Sequence, residues 1–195
     1  MRYHPEIAQE PWRPNQTTIK AGEHYKIAII GGISDIKGYN IIYDCASYAV
    51  DFGCSIEFVI FGFTKDDTVL GEFRNITFTG AFDSFDELKV KLEKHPCDVA
   101  AFFSTWPETY SYTLSESLML GLVPVAFKLG AFSERLQEVP GAVLLDVGAS
   151  AENIVDGLIQ AAKFARSNQK RFSFSEHDEY HSLLKNYYGM DMPSK

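Results

Sequence analysis

The sequence predicts an α/β protein, a doubly wound parallel sheet in one domain, and three observations carry that expectation. Short, nearly continuous apolar runs such as Tyr25-Lys26-Ile27-Ala28-Ile29-Ile30 have the length of strands and the apolarity of strands buried on both faces. These runs alternate with stretches of helical period all the way from Tyr25 to Arg166. Turn residues separate the two kinds of segment, Gly31-Gly32 after the first run and Gly121 with Pro124 after a later helix.

The elements follow in order. Residues 1–24 hold Pro5, Pro11 and Pro14 and no periodicity, so they read as an irregular lead-in or linker. Residues 25–30 form the first strand, and a helix over 38–52 places Ile41, Cys45, Tyr48 and Ala49 on one side. Strands follow at 55–61 and 75–78, a helix at 85–92, and a strand at 98–103. The helix over 110–120 is stopped by Gly121 and Pro124. A strand at 123–127, a helix at 131–137, a strand at 142–145 and a long helix at 151–166 complete the pattern. The expected organisation is a lead-in (1–24), a Rossmann-like domain (25–170) and a C-terminal tail (171–195) with one helix around Glu176–Tyr187.

Composition narrows the function. The 195 residues, 46% hydrophobic and 23% charged, suit one soluble globular domain. A formal net charge of -8 repels nucleic acid and anionic membrane, which argues against polyanionic partners. A small anion remains possible, because helix N-termini and a few lysines hold such a ligand locally. Cys45, Cys54 and Cys97 are odd in number and scattered, as expected of reduced thiols used as small core residues. No apolar run is long enough to span a bilayer and Met1–Pro5 lacks a signal peptide's apolar stretch, so a cytoplasmic protein is expected. The glycosylation sequons Asn15-Gln16-Thr17 and Asn75-Ile76-Thr77 are then chance matches.

Ligands of doubly wound sheets bind outside the carboxyl ends of the strands, near the topological switch point. Two loops therefore matter. Gly31-Gly32-Ile33-Ser34-Asp35-Ile36-Lys37-Gly38 is neither a dinucleotide fingerprint nor a P-loop. Its glycines still let backbone approach a ligand, and Lys37 precedes a helix, where an ammonium can meet a phosphate. A glycine-rich turn with a solvated lysine fits the same residues. The second loop runs from Ser104 through Trp106-Pro107 to Glu108 and into the helix that holds Glu116. The free N–H groups of that helix make an anion site. Glu108 sits just before it, and Glu116 lies two turns inside, on a stripe with Tyr112 and Leu120. Carboxylates suit hydroxyl-rich ligands, since each accepts two hydrogen bonds from adjacent hydroxyls. A helix-dipole Glu beside a solvated Glu is the competing account.

Several motifs then fall into one order. Glu108 and Glu116 stand in a Glu-x7-Glu spacing, followed by Ser117-Leu118-Met119-Leu120-Gly121-Leu122-Val123-Pro124-Val125-Ala126. Lys128-Leu129-Gly130-Ala131-Phe132-Ser133-Glu134 comes after them, with Ile76-Thr77-Phe78-Thr79-Gly80 upstream, and Gly31 and Lys37-Gly38 at the start. From Tyr25 to Leu145 this order resembles the donor-site pattern of retaining GT-B glycosyltransferases of the family 4-like group, in their C-terminal half.

The resemblance implies a nucleoside-diphosphate sugar as substrate, with no cofactor and no metal. Glu108 would contact the transferred sugar, and Glu116 the ribose. Backbone of Thr109, Tyr110, Ser111, Tyr112 and Thr113 would line the diphosphate, with Gly31 and Gly32 beside it and Lys37 neutralising it. Gly80, Ala81 and Phe82 would flank the base. An N-terminal GT-B domain would be the partner that binds acceptor, so the chain alone is expected to be inactive. Two positions depart from the pattern. Gly32 stands where the family has arginine, with Arg135 a possible substitute, and Ser111 stands where it has glycine. They keep open a non-catalytic sugar-nucleotide or glycan-binding module. A sugar-nucleotide epimerase shares the architecture, but the Glu-x7-Glu spacing argues against it.

Smaller signals are read plainly. His177 and His181 are spaced as a metal pair but read as a solvated tail helix. Tyr180, Leu183, Leu184, Tyr187 and Tyr188 would face the N-terminal domain, with Trp12 a surface clasp. Asp35, Asp66, Asp67 and Asp83 are turn formers.

Overall fold

A computed structural model describes residues 24–167. The lead-in with Trp12 and the Asn15 sequon, and the tail with its helix, His177, His181, Tyr180, Leu183, Leu184, Tyr187 and Tyr188, lie outside the described residues.

Six strands pair in parallel throughout, in the order β3-β2-β1-β4-β5-β6. They are β1 (Tyr25–Ile33), β2 (Ile56–Thr64), β3 (Ile76–Phe78), β4 (Val99–Phe102), β5 (Val123–Phe127) and β6 (Val143–Leu145). The helices are α1 (Tyr39–Asp51), α2 (Asp67–Leu70), α3 (Phe85–Lys94), α4 (Tyr112–Met119), α5 (Ala131–Arg135) and α6 (Ala151–Ser167). The chain winds outward from β1 to β3, then returns to β4 on the other side of β1. The switch point therefore lies between β1 and β4.

Successive strand residues face opposite sides, and both sides are covered. Ile27, Ile29, Phe58 and Ile60 pack with Ile42, Cys45 and Leu158 of α1 and α6. Ala28, Ile30, Val59 and Phe61 pack with Leu88, Leu92, Leu114 and Leu118 of α3 and α4. This is why the strands read as unbroken apolar runs.

Several boundaries differ from the sequence reading. β1 continues past Ile30 to Ile33, so Gly31 and Gly32 are strand residues in register with Gly62 and Phe63. The reason is close packing of two glycines, since a Cβ on Gly62 would overlap the carbonyl of Gly31. In α1 the buried stripe is Tyr39, Ile42, Cys45, Ala46 and Ala49, with Ile41 and Tyr48 half-buried at its margin. A 3-10 turn at Asp35–Lys37 and the short α2 lack enough residues to show a period. Asp66 caps α2, accepting from the N–H groups of Thr68 (3.1 Å) and Val69 (3.2 Å). The α4 helix starts at Tyr112 rather than Tyr110, and Glu108 thus precedes it by a longer loop.

At the amino end of the sheet, Asp98 is nearly buried and takes a two-pronged bond from Arg166, at 3.0 and 2.8 Å. The same guanidinium lies 4.3 Å from the Tyr25 ring centroid, tying α6 to the start of β1. Asn75 is buried and its side-chain N–H donates to the carbonyl of Ala46 at 3.2 Å, a placement that closes its sequon to modification. Cys45, Cys54 and Cys97 are free thiols, and burial pushes that of Cys45 up to about 12.

Candidate functional site

Where β1 and β4 diverge, a small pocket is lined by Ile33, Lys37, Ser104, Glu108, Thr113 and Phe132. The fold thus gathers Lys37 from the turn after β1, and Glu108 and Thr113 from the β4–α4 connection and the first turn of α4, to one place.

Each is held by backbone geometry. Lys37 ends the 3-10 turn, and Gly38 follows at φ 92. A Cβ on Gly38 would come within 2.6 Å of the Phe103 carbonyl oxygen, so only glycine lets this turn pack on the end of β4. The Thr105 N–H donates to the Ile36 carbonyl at 2.8 Å, and the Ser104 hydroxyl to the Trp106 carbonyl at 2.8 Å. Asp35 is occupied by Lys65 at 2.8 Å, whereas Lys37 is exposed and pairs with no described residue. Glu108 is fixed from the other side. Its carbonyl accepts from the Ala131 N–H at 2.9 Å, and a Cβ on Gly130 would approach that carbonyl to 2.7 Å.

The start of α4 is unusual. Ser111 has φ 69 and ψ 93, and no side chain caps the first turn, whose N–H groups are left for a ligand. Arg135 holds this loop, donating to the carbonyls of Tyr110 (2.7 Å) and Ser111 (3.1 Å) and to the Ser115 hydroxyl (2.9 Å). Its guanidinium also lies 4.4 Å from the Tyr110 ring centroid. Arg135 is therefore engaged in shaping the loop, which departs from its expected use as a substitute phosphate clamp.

Glu116 sits little more than one turn inside α4, half-buried, and no described residue hydrogen-bonds its carboxylate. Desolvation raises its pKa above the usual carboxylate range. Leu120 ends the supposed Tyr112-Glu116 stripe in the core, because the helix stops there. Gly80, with φ 79, and Ala81 are exposed at the end of β3, and Phe82 is half-buried. The Lys91 ammonium steadies that loop through the Thr79 carbonyl at 2.8 Å. On β1, a Cβ on Gly31 would face the Thr113 methyl at 3.9 Å, so the strand tip looks onto the first turn of α4. A Cβ on Gly32 would meet the ring of Phe63 at 3.0 Å. β2 runs on past Phe61 to Thr64, which sets Phe63 in register with Gly32.

Comparison with solved structures decides the architecture. The chain superposes on the structure of Anabaena Alr3699/HepE with UDP and glucose, with a TM-score of 0.57 at 18% identity, over 86% of this chain and 49% of that one. The C-terminal domain of LpcC, a glycosyl transferase group 1 family protein from Francisella tularensis, matches with a TM-score of 0.56 at 19% identity, over 84% of this chain and 86% of that one. The fold is that of a C-terminal GT-B domain.

The pneumococcal O-GlcNAc transferase GtfA, solved with UDP and GlcNAc, matches with a TM-score of 0.57 at 12% identity, over 91% of this chain and 38% of that one. The chain spans about half the length of the HepE chain, which it covers to 49%. No protein-family model matches it, and no curated protein is similar to it in sequence. Among the described residues, no helix is long and apolar enough to cross a membrane.

Proposed function

We propose that this GT-B domain binds the nucleoside-diphosphate sugar of a retaining glycosyltransferase, and that an N-terminal GT-B domain supplies the acceptor site. The observation that carries the reading is the meeting of Lys37, Glu108 and the uncapped start of α4 at the switch point. In transfer, the bond from the anomeric carbon to the diphosphate oxygen breaks and its electron pair leaves with the diphosphate. Lys37 and the α4 N–H groups would stabilise that charge without reorganising, while Glu108 accepts hydrogen bonds from the sugar. Glu116, half-buried and with no partner among the described residues, would accept from the ribose hydroxyls. Donor binding belongs to this chain; turnover requires an acceptor held against the donor.

Calorimetric titration with UDP, GDP, ADP and their sugars tests the reading. The wild-type chain is expected to bind one nucleotide series, and Glu116→Ala and Lys37→Ala to weaken it by about tenfold or more, the worth of a hydrogen bond to a charged group. Glu138→Ala, an exposed control, should bind as wild type. If none of the nucleotides binds, the domain is instead a non-catalytic module, a reading that the covered Gly32 also fits.

A further inference from the structure

We infer that Phe63 is the stacking platform for the donor's nucleobase. The inference rests on the donor-site reading and extends it to the base.

Phe63 continues the row of Val59 and Phe61, which are buried beneath α3 and α4, so its ring stands on that face at the carboxyl end of β2. There it is 59% exposed, a large apolar surface left in water at the rim of a polar site. Its register partner is Gly32, and a Cβ at 32 would lie 3.0 Å from the ring's Cζ and 3.2 Å from Cε2. A side chain at 32 would push the ring away. Glycine at 32 therefore leaves the ring where it stands.

The helix that carries two further anchors packs on the same face of the sheet as Val59 and Phe61. Thr113 faces Gly31, Glu116 lies a turn further along α4, and Gly80–Phe82 end β3, the strand on the far side of β2. Neighbouring strands are roughly 4.8 Å apart. With the diphosphate at the start of α4 and the ribose at Glu116, the base arrives over the tips of β2 and β3. Every base offers a π-face, so such a platform adds affinity with little discrimination between bases.

The full 195-residue chain is titrated with UDP, GDP and ADP, and with ribose 5-phosphate as a probe that lacks a base. Phe63→Ala should weaken each nucleotide that binds wild type by about tenfold, the scale of one base–aromatic stack, and leave ribose 5-phosphate unchanged. Phe63→Tyr should bind as wild type, which guards against a folding defect. Unaltered nucleotide affinity in a folded Phe63→Ala overturns the inference and leaves the donor site standing. Equal weakening of ribose 5-phosphate overturns it too, since the loss would not depend on the base. A wild-type chain that binds no nucleotide overturns both readings.

Discussion

Glu116, which we propose as the ribose contact, works against the stability of its own fold. Its carboxyl is half-buried on α4 with no described partner, and desolvation raises its pKa. A group whose folded pKa lies above its unfolded value favours folding below the unfolded value, and that contribution is lost as pH rises through the folded one. Glu116→Gln keeps the shape and removes the charge. It should therefore melt higher than wild type at pH 7, with the difference shrinking toward pH 4, while nucleotide affinity falls. Thermal melts at both pH values check it, and a variant less stable at pH 7 would mean the carboxylate has a partner that compensates its burial. Charge, spacing and residue type make Glu108, Glu116 and Lys37 readable as candidates in the sequence. The position of Phe63 beside Gly32 and the hold of Arg135 on the α4 loop are less so, because they depend on a strand register and on contacts across 24 and 25 residues.

At the scale of elements, the α4 start joins a local strain to its compensation. Ser111 occupies positive φ, a region that costs an L-residue roughly 1–2 kcal/mol. Arg135 reaches from the end of α5 to hold the carbonyls on either side of that strain. Glycine at 111 would need no such clamp. Ser111→Gly should thus stabilise the domain by about 1 kcal/mol and make Arg135→Ala less damaging than in wild type, read as a double-mutant cycle of thermal melts. Additive effects would show that Arg135 does not serve the strained turn. Apolar runs and helical periods identified the elements from β1 to α6. Their ends were less legible, because Gly31, Gly38, Gly62 and Ser111 set them through φ values and close backbone approaches that residue order alone does not reveal. Gly130 is a related case: read as part of a motif, it proves to be the contact that lets the β5–α5 turn grip Glu108.

Across the whole molecule, the two ends of the sheet divide the labour. Loops at the carboxyl end carry glycines, strain and charges unpaired among the described residues, all of which weaken a fold. The amino end holds the opposite arrangement, a nearly buried Asp98 that accepts from the Lys26 N–H at 3.1 Å and from Arg166 at 3.0 and 2.8 Å. These bonds join β1, β4 and α6, elements distant in sequence, so they act only once the sheet has assembled. Removing Arg166 leaves a buried carboxylate with too few donors, a loss of about 3–5 kcal/mol. Arg166→Ala should lower the melting temperature by roughly 10 °C for a chain of this size. The double variant Asp98→Asn with Arg166→Met should recover much of that loss, since no buried charge is then orphaned. Nucleotide affinity, measured where Arg166→Ala is still folded, should be unchanged, because the pair lies at the end of the strands opposite Lys37 and Glu108. A parallel fall in affinity would show that the donor loops depend on the amino end of the sheet, and that stability and binding are not separable in this fold.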